Sequence, residues 1–121
     1  MNKWEQATFK AELKQFTGSD SFYRHTWQQY YYTEGVRHLA RQAESYWLLD
    51  HIIFNQTLAI LKEQPFQVWT ITVNEDHTTR ILVEDDNGTE LTFFHLGFID
   101  FPLEEFSLWL VDQTILLPSE Y

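Results

Sequence analysis

The sequence predicts an α+β fold, with N-terminal helices packed on one face of a mainly antiparallel sheet of about five strands. Two patterns and one break carry this expectation. Apolar residues recur at helical spacing through the first half of the chain, and β-branched and aromatic runs fill the second. Pro65 stands between them, where a helix must stop. A chain of 121 residues is expected to form one domain, 1–121, and its 44% hydrophobic content supplies a core.

Taken in order, Trp4, Phe9, Leu13 and Phe16 predict a helix over 4–16, ended by the turn formers Thr17-Gly18-Ser19-Asp20. The aromatic stretch SFYRHTWQQYYYTEG (21–35) reads as a long connection anchored by Phe22, Trp27 and some of its tyrosines. Thr33 and Glu34 mark the next helix start, and Val36, Leu39, Ala40 and Ala43 form its buried stripe. Ser45 is read as the cap of a further run, YWLLDHIIFNQTLAIL, whose nearly continuous apolar residues predict burial on more than one side. Beyond Pro65, FQVWTITV (66–73) and TTRILVED (78–85) read as strands around the turn NEDH. Asp86-Asn87-Gly88 predicts a tight hairpin, because Asn87 and Gly88 both tolerate positive φ. TELTFFHLGF (89–98) pairs back. FSLWLV (106–111) and TILLP (114–118) close the sheet as a hairpin around Asp112-Gln113.

The net charge of −10 is not spread evenly. Residues 1–64 balance, whereas residues 65–121 carry eleven acids against the single base Arg80. Such a field repels phosphate backbones and attracts cations, so no direct nucleic-acid binding is expected and a basic protein partner is. The same carboxylates keep an aromatic-rich protein in solution. No apolar run is long enough to span a membrane, and the charged N-terminus lacks a secretory apolar segment, so a cytoplasmic protein is expected.

Known catalytic patterns fail one by one. With no cysteine there is no thiolate chemistry and no Cys-based zinc site. EDDNGTE suggests a calcium loop, but with Gly88 at position 6 of an EF-hand, Val83 and Phe94 fall where the first and last ligands belong. Five histidines form no Glu-x-x-His or His-Glu-x-x-His pair, and no nucleophile elbow or phosphate loop is present. No catalytic residue, metal or cofactor is assigned.

The aromatic stretch remains. Tyrosine and arginine are enriched at contact surfaces, and an aromatic loop beside a helical run can line a pocket between helices and sheet. Tyr23, Arg24, His25, Tyr31, Tyr32, Asp50 and His51 are therefore the candidate binding residues. Self-association is the other candidate use of the surface. Both alternating sets of FQVWTITV hold large apolar residues, Phe66 and Val68 against Trp69, Ile71 and Val73, so one face is expected to meet helices and the other a second chain.

FTGSDSFYRH (16–25), YTEGVRHLA (32–40), YWLLD (46–50), FQVW (66–69), DFPLEEFSLWL (100–110) and the terminal LLPSEY (116–121) occur in this order. On these stretches, from about residue 10 to 121, the chain resembles a family of short bacterial, plasmid and phage domains of unknown function. The resemblance implies no activity, substrate or catalytic residue. A small acidic interaction or accessory domain is the function expected, with a pocket-based ligand-binding protein or enzyme as the alternative.

Overall fold

Local chemistry sets most element ends in the computed structural model, which describes residues 1–18, 21–25 and 29–121. Helix α1 (Lys3–Lys14) starts at a reciprocal cap, in which the Glu5 N–H donates to Asn2 Oδ1 and the Asn2 N–H donates to Glu5 Oε1. Helix α2 (Glu34–Gln42) begins at Thr33 as expected, with Thr33 Oγ1 accepting from the Val36 N–H. Its end uses Ser45 differently from the expectation. Glu44 takes the left-handed conformation, φ 51°, and the Ser45 N–H turns back to the Ala40 carbonyl at 2.8 Å. Ser45 thus closes α2, and its buried hydroxyl makes no cap to α3 (Tyr46–Phe54).

The long run after Ser45 is not one helix. A 3₁₀ turn at Asn55–Thr57 separates α3 from the short α4 (Ala59–Lys62). The side chains of Asn55 and Gln56 donate to the His51 and Ile52 carbonyls, competing at the acceptors a continuing helix would use. Beyond Pro65 lie β3 (Phe66–Val73), β4 (Thr78–Glu84), β5 (Glu90–Phe98), β6 (Glu105–Val111) and β7 (Thr114–Leu116), close to the expected spans. The β4–β5 turn differs in type from the expected hairpin. Only Gly88 has positive φ, 80°, and the Asp85 N–H bonds the Thr89 carbonyl while the Gly88 N–H bonds that of Asp85. This is a turn closed by a glycine bulge, one residue longer than the two-residue form.

Among the described residues the sheet has seven strands rather than about five, in the order β1-β2-β7-β6-β3-β4-β5. The two extra strands, β1 (Phe22–Arg24) and β2 (Tyr31–Thr33), come from the stretch read as a connection. Each is three residues long, too short for alternation to show. Every pairing is antiparallel except β2 with β7, so the sheet is mixed. Trp27, named as an anchor, and Ser19-Asp20, named in the first helix stop, lie outside the described residues. Phe22, the other named anchor, is exposed.

All four α-helices of the described residues lie on one face. Trp69, Ile71, Ile81, Val83, Leu108 and Leu110 point from the sheet into a core shared with Phe9, Leu13, Val36, Leu39, Leu48, Ile52 and Leu61. No described helix is long and apolar enough to cross a membrane.

Candidate interaction site

The candidate residues of the aromatic stretch divide by strand parity. Tyr23 and Tyr32 sit opposite each other on β1 and β2, on the helix side, with stacked rings 5.6 Å apart. Arg37, one turn into α2, lays its guanidinium over the Tyr23 ring at 4.4 Å and donates to the Tyr23 hydroxyl at 2.8 Å. Hydrogen bonding to the Tyr23 hydroxyl, with a smaller contribution from Tyr46 on α3, holds the guanidinium above its ordinary value. Burial, followed by the neighbouring Tyr46, raises the Tyr32 phenol. One turn along α3 from Tyr46, Asp50 Oδ1 meets Nε2 of the buried His25 at 2.6 Å. Together these contacts clamp the β1–β2 hairpin to α2 and α3. Arg37 and Tyr46 escape a reading of the sequence, although Tyr46 and Asp50 stand four apart in one helical run.

The remaining candidates lie elsewhere. Arg24 and Tyr31 pair with each other on β1 and β2 and alternate to the opposite sheet face. His51, next to Asp50, turns about 100° around α3. Its ring stands nearly perpendicular to those of Phe94 and Trp69, and its Nε2 is buried without a hydrogen-bond partner. A groove of about 520 Å³ between α1, β6 and the chain end is lined by Lys10, Leu13, Lys14, Phe106, Leu117 and Ser119, none of them among the candidates.

The setting of His51 has a measurable consequence. Burial pushes its imidazole below the ordinary value of 6.5. The unfolded chain therefore takes up this proton at a higher pH than the folded one, so the stability gained from neutral His51 is complete above that value and drains as pH falls below it. Chemical unfolding at about pH 7.5 and about pH 5.5 is expected to show less stability at the lower pH, and a smaller loss in His51→Phe. An equal loss in both proteins would contradict this.

The outer face of the sheet is the larger feature. Cross-strand register places Phe66 and Val68 of β3, Leu82 of β4, Phe93 of β5, and Trp109 and Val111 of β6 on the face away from the core. Phe66, Trp109 and Tyr121 form a three-ring cluster there, with centroids 5.3–5.5 Å apart. Toward the β5 edge, Arg80 covers the Phe93 ring at 5.1 Å and reaches Glu90 at 3.6 Å. No described helix covers these residues, and all six side chains stay half-buried or exposed.

Ten of the eleven acids in the second half gather at the ends of the strands. Glu75, Asp76, Asp100, Glu104 and Glu105 cluster where β3 ends and β6 begins; Glu84, Asp85, Asp86, Glu90 and Asp112 cluster at the other end. The eleventh, Glu120, turns inward. Its carboxylate accepts from the Thr33 hydroxyl (2.6 Å) and from the N–H groups of Leu117 (2.9 Å) and Gly35 (3.3 Å). A Cβ at Gly35 would stand 2.6 Å from Leu117 Cδ1 and 2.8 Å from Glu120 Oε1, so the chain end approaches α2 only because this residue has no side chain.

Residues 7–121 match the model of a family of unknown function, DUF6876, and the chain belongs to that family. No curated protein and no solved structure is significantly similar.

Proposed function

We propose that this member of the family is a small non-catalytic, acidic interaction domain of the cytoplasm of a bacterium or of its mobile elements. Its contact surface is the outer sheet face, and its partner is a protein segment with an apolar middle and Lys or Arg at both ends. The observation that carries this reading is the second apolar face. Phe66, Val68, Leu82, Phe93, Trp109 and Val111 lie together outside a core that is already complete on the helix side. Contiguous apolar surface of this kind, rich in aromatic rings, marks contact sites. The acids at its two ends are separated by a strand of about seven residues, or roughly 23 Å. A segment with cations at that spacing gains at both ends while its middle covers the rings. The same carboxylates oppose a nucleic-acid backbone, although the rings alone could stack bases.

The test is binding of a labelled peptide with an alternating Val/Phe centre and paired lysines at each end, beside a twin ending in glutamates. Only the lysine form is expected to bind, and raising salt to physiological levels should weaken it by about tenfold. Trp109→Glu should abolish binding while circular dichroism shows the fold retained. Equal binding of both peptides, or binding that ignores Trp109→Glu, would remove the outer face from consideration.

A further inference from the structure

We infer that β5 is a dimerisation edge, at which two copies pair their Glu90–Phe98 strands antiparallel about a two-fold axis and join their sheets into one. The inference concerns the sheet edge rather than the outer face; Phe93 borders both, and the strand pairing does not rest on the peptide site.

The strand order leaves β1 and β5 at the two edges. β1 is three residues long and carries Arg24, as a protected edge does. β5 is nine residues long and contains neither lysine nor proline. Irregularities in its pairing with β4 fall only at the two ends, between Thr78 and Thr79 and between Val83 and Glu84, so its middle is regular. Regular in its middle, and with Glu90 at its start as its one carboxylate, it presents a row of backbone donors and acceptors without a strand beside it among the described residues.

Large apolar side chains are exposed around this edge on both sides. Phe93 is 47% and Phe98 71% exposed. On the helix side, α4 packs against β5, and the α3–α4 corner leaves Phe54, Leu58 and Ile60 exposed. Strand addition alone would satisfy the backbone; these residues give the pairing an apolar contact above and below the strand.

The occupant is a second copy because the strand complements itself. A two-fold axis at Phe94 sets Phe93 against His95, and Thr92 against Leu96, in the partner. Thr92, Phe94 and Leu96 then continue the inner face, and Phe93 and His95 the outer. Between Leu91 and Phe98 the only ionisable side chain is His95, so no carboxylates meet across the axis. The acids lie at the tips of the strand, with Glu90, its first residue, set against Phe98 of the partner subunit. Pairing brings acidic tips nearer each other, so salt is expected to tighten this dimer, whereas it loosens binding of a basic segment at the outer face.

Sedimentation equilibrium of the full chain, at low and high salt, tests the inference. A concentration-dependent dimer strengthened by salt is expected, with β5 amides that exchange more slowly as concentration rises. The double variant Phe93→Lys/His95→Lys places two lysines opposite two lysines across the axis and is expected to be a folded monomer. The single variant His95→Lys, at an exposed position, should weaken the dimer by about tenfold if the double variant fails to fold. A monomer at every concentration and salt would overturn the inference, including the case in which β5 takes a strand from a different protein. So would a dimer that both variants leave intact or β5 amides indifferent to concentration.

Discussion

Replacing Gln67 by alanine is expected to cost about 4 kcal/mol of folding stability, or roughly 15 °C in Tm for a chain of this size. Gln67 is fully buried on the inner face of β3. Its Nε2 donates to Gln56 Oε1 (2.8 Å) and to the Gln64 (3.0 Å) and Leu61 (3.1 Å) carbonyls. Its Oε1 accepts from Gln56 Nε2 and from the Trp69 indole N–H, both at 2.9 Å. One amide thus holds the 3₁₀ turn after α3, the end of α4 and the largest buried side chain of the sheet. Truncation leaves a cavity and at least three polar groups unsatisfied inside the core. Gln67→Leu separates the two contributions, since it restores most of the volume and none of the bonds; a loss of about 2–3 kcal/mol is expected. Urea unfolding of Gln56→Leu, Gln67→Leu and the pair should give a double loss well below the sum, because each single variant already orphans the other amide. Additive losses, or a neutral Gln67→Leu, would show that the network does not hold this corner.

What the sequence revealed, and what it hid, follows from the range of each interaction. The spans of β3 to β7 and the Thr33 cap were legible because alternation and capping are local signals carried by neighbouring residues. β1 and β2 were not, because their stability comes from β7, more than eighty residues away in the chain, through pairs such as Tyr32 with Ile115. The role of Gln67 was hidden for the same reason. A glutamine between Phe66 and Val68 looks like an outward polar position, and only the fold shows that Phe66 faces out and Gln67 in. The two-faced character of FQVWTITV was nevertheless visible, and it pointed to an outer apolar face. Of the candidate residues, Tyr23 stacks on Tyr32 and His25 meets Asp50, whereas Arg24, Tyr31 and His51 face other ways. Proximity in sequence mixed the two sides of β1 and β2, which parity then separated.

The stretches that carry the family resemblance look different once their contacts are known. FQVW holds Gln67 and Trp69, and LLPSEY holds Glu120; both are hydrogen-bonded structural knots in this chain. Glu120→Ala is expected to lower stability by about 2–3 kcal/mol. The carboxylate takes hydrogen bonds from the Thr33 hydroxyl and from the Leu117 and Gly35 N–H groups, at the positive end of the α2 dipole. Thr33 is itself buried and caps α2 with the same hydroxyl, so losing Glu120 leaves a buried hydroxyl donor without its acceptor. Glu120→Gln retains an acceptor but loses the charge and turns an N–H group toward another N–H; a loss of about 1 kcal/mol is expected. The spatial readout distinguishes this knot from a generic surface change. Amides of the first turn of α2 and of β7 should lose protection from hydrogen exchange in Glu120→Ala, while those of β4 and β5, at the far side of the sheet, should be affected only through global unfolding. The outer face shares this dependence, because Tyr121 completes the ring cluster with Phe66 and Trp109 one residue beyond Glu120. Freeing the chain end should therefore also weaken binding of the lysine-flanked peptide, whereas Gln67→Leu, which leaves Tyr121 in place, should not.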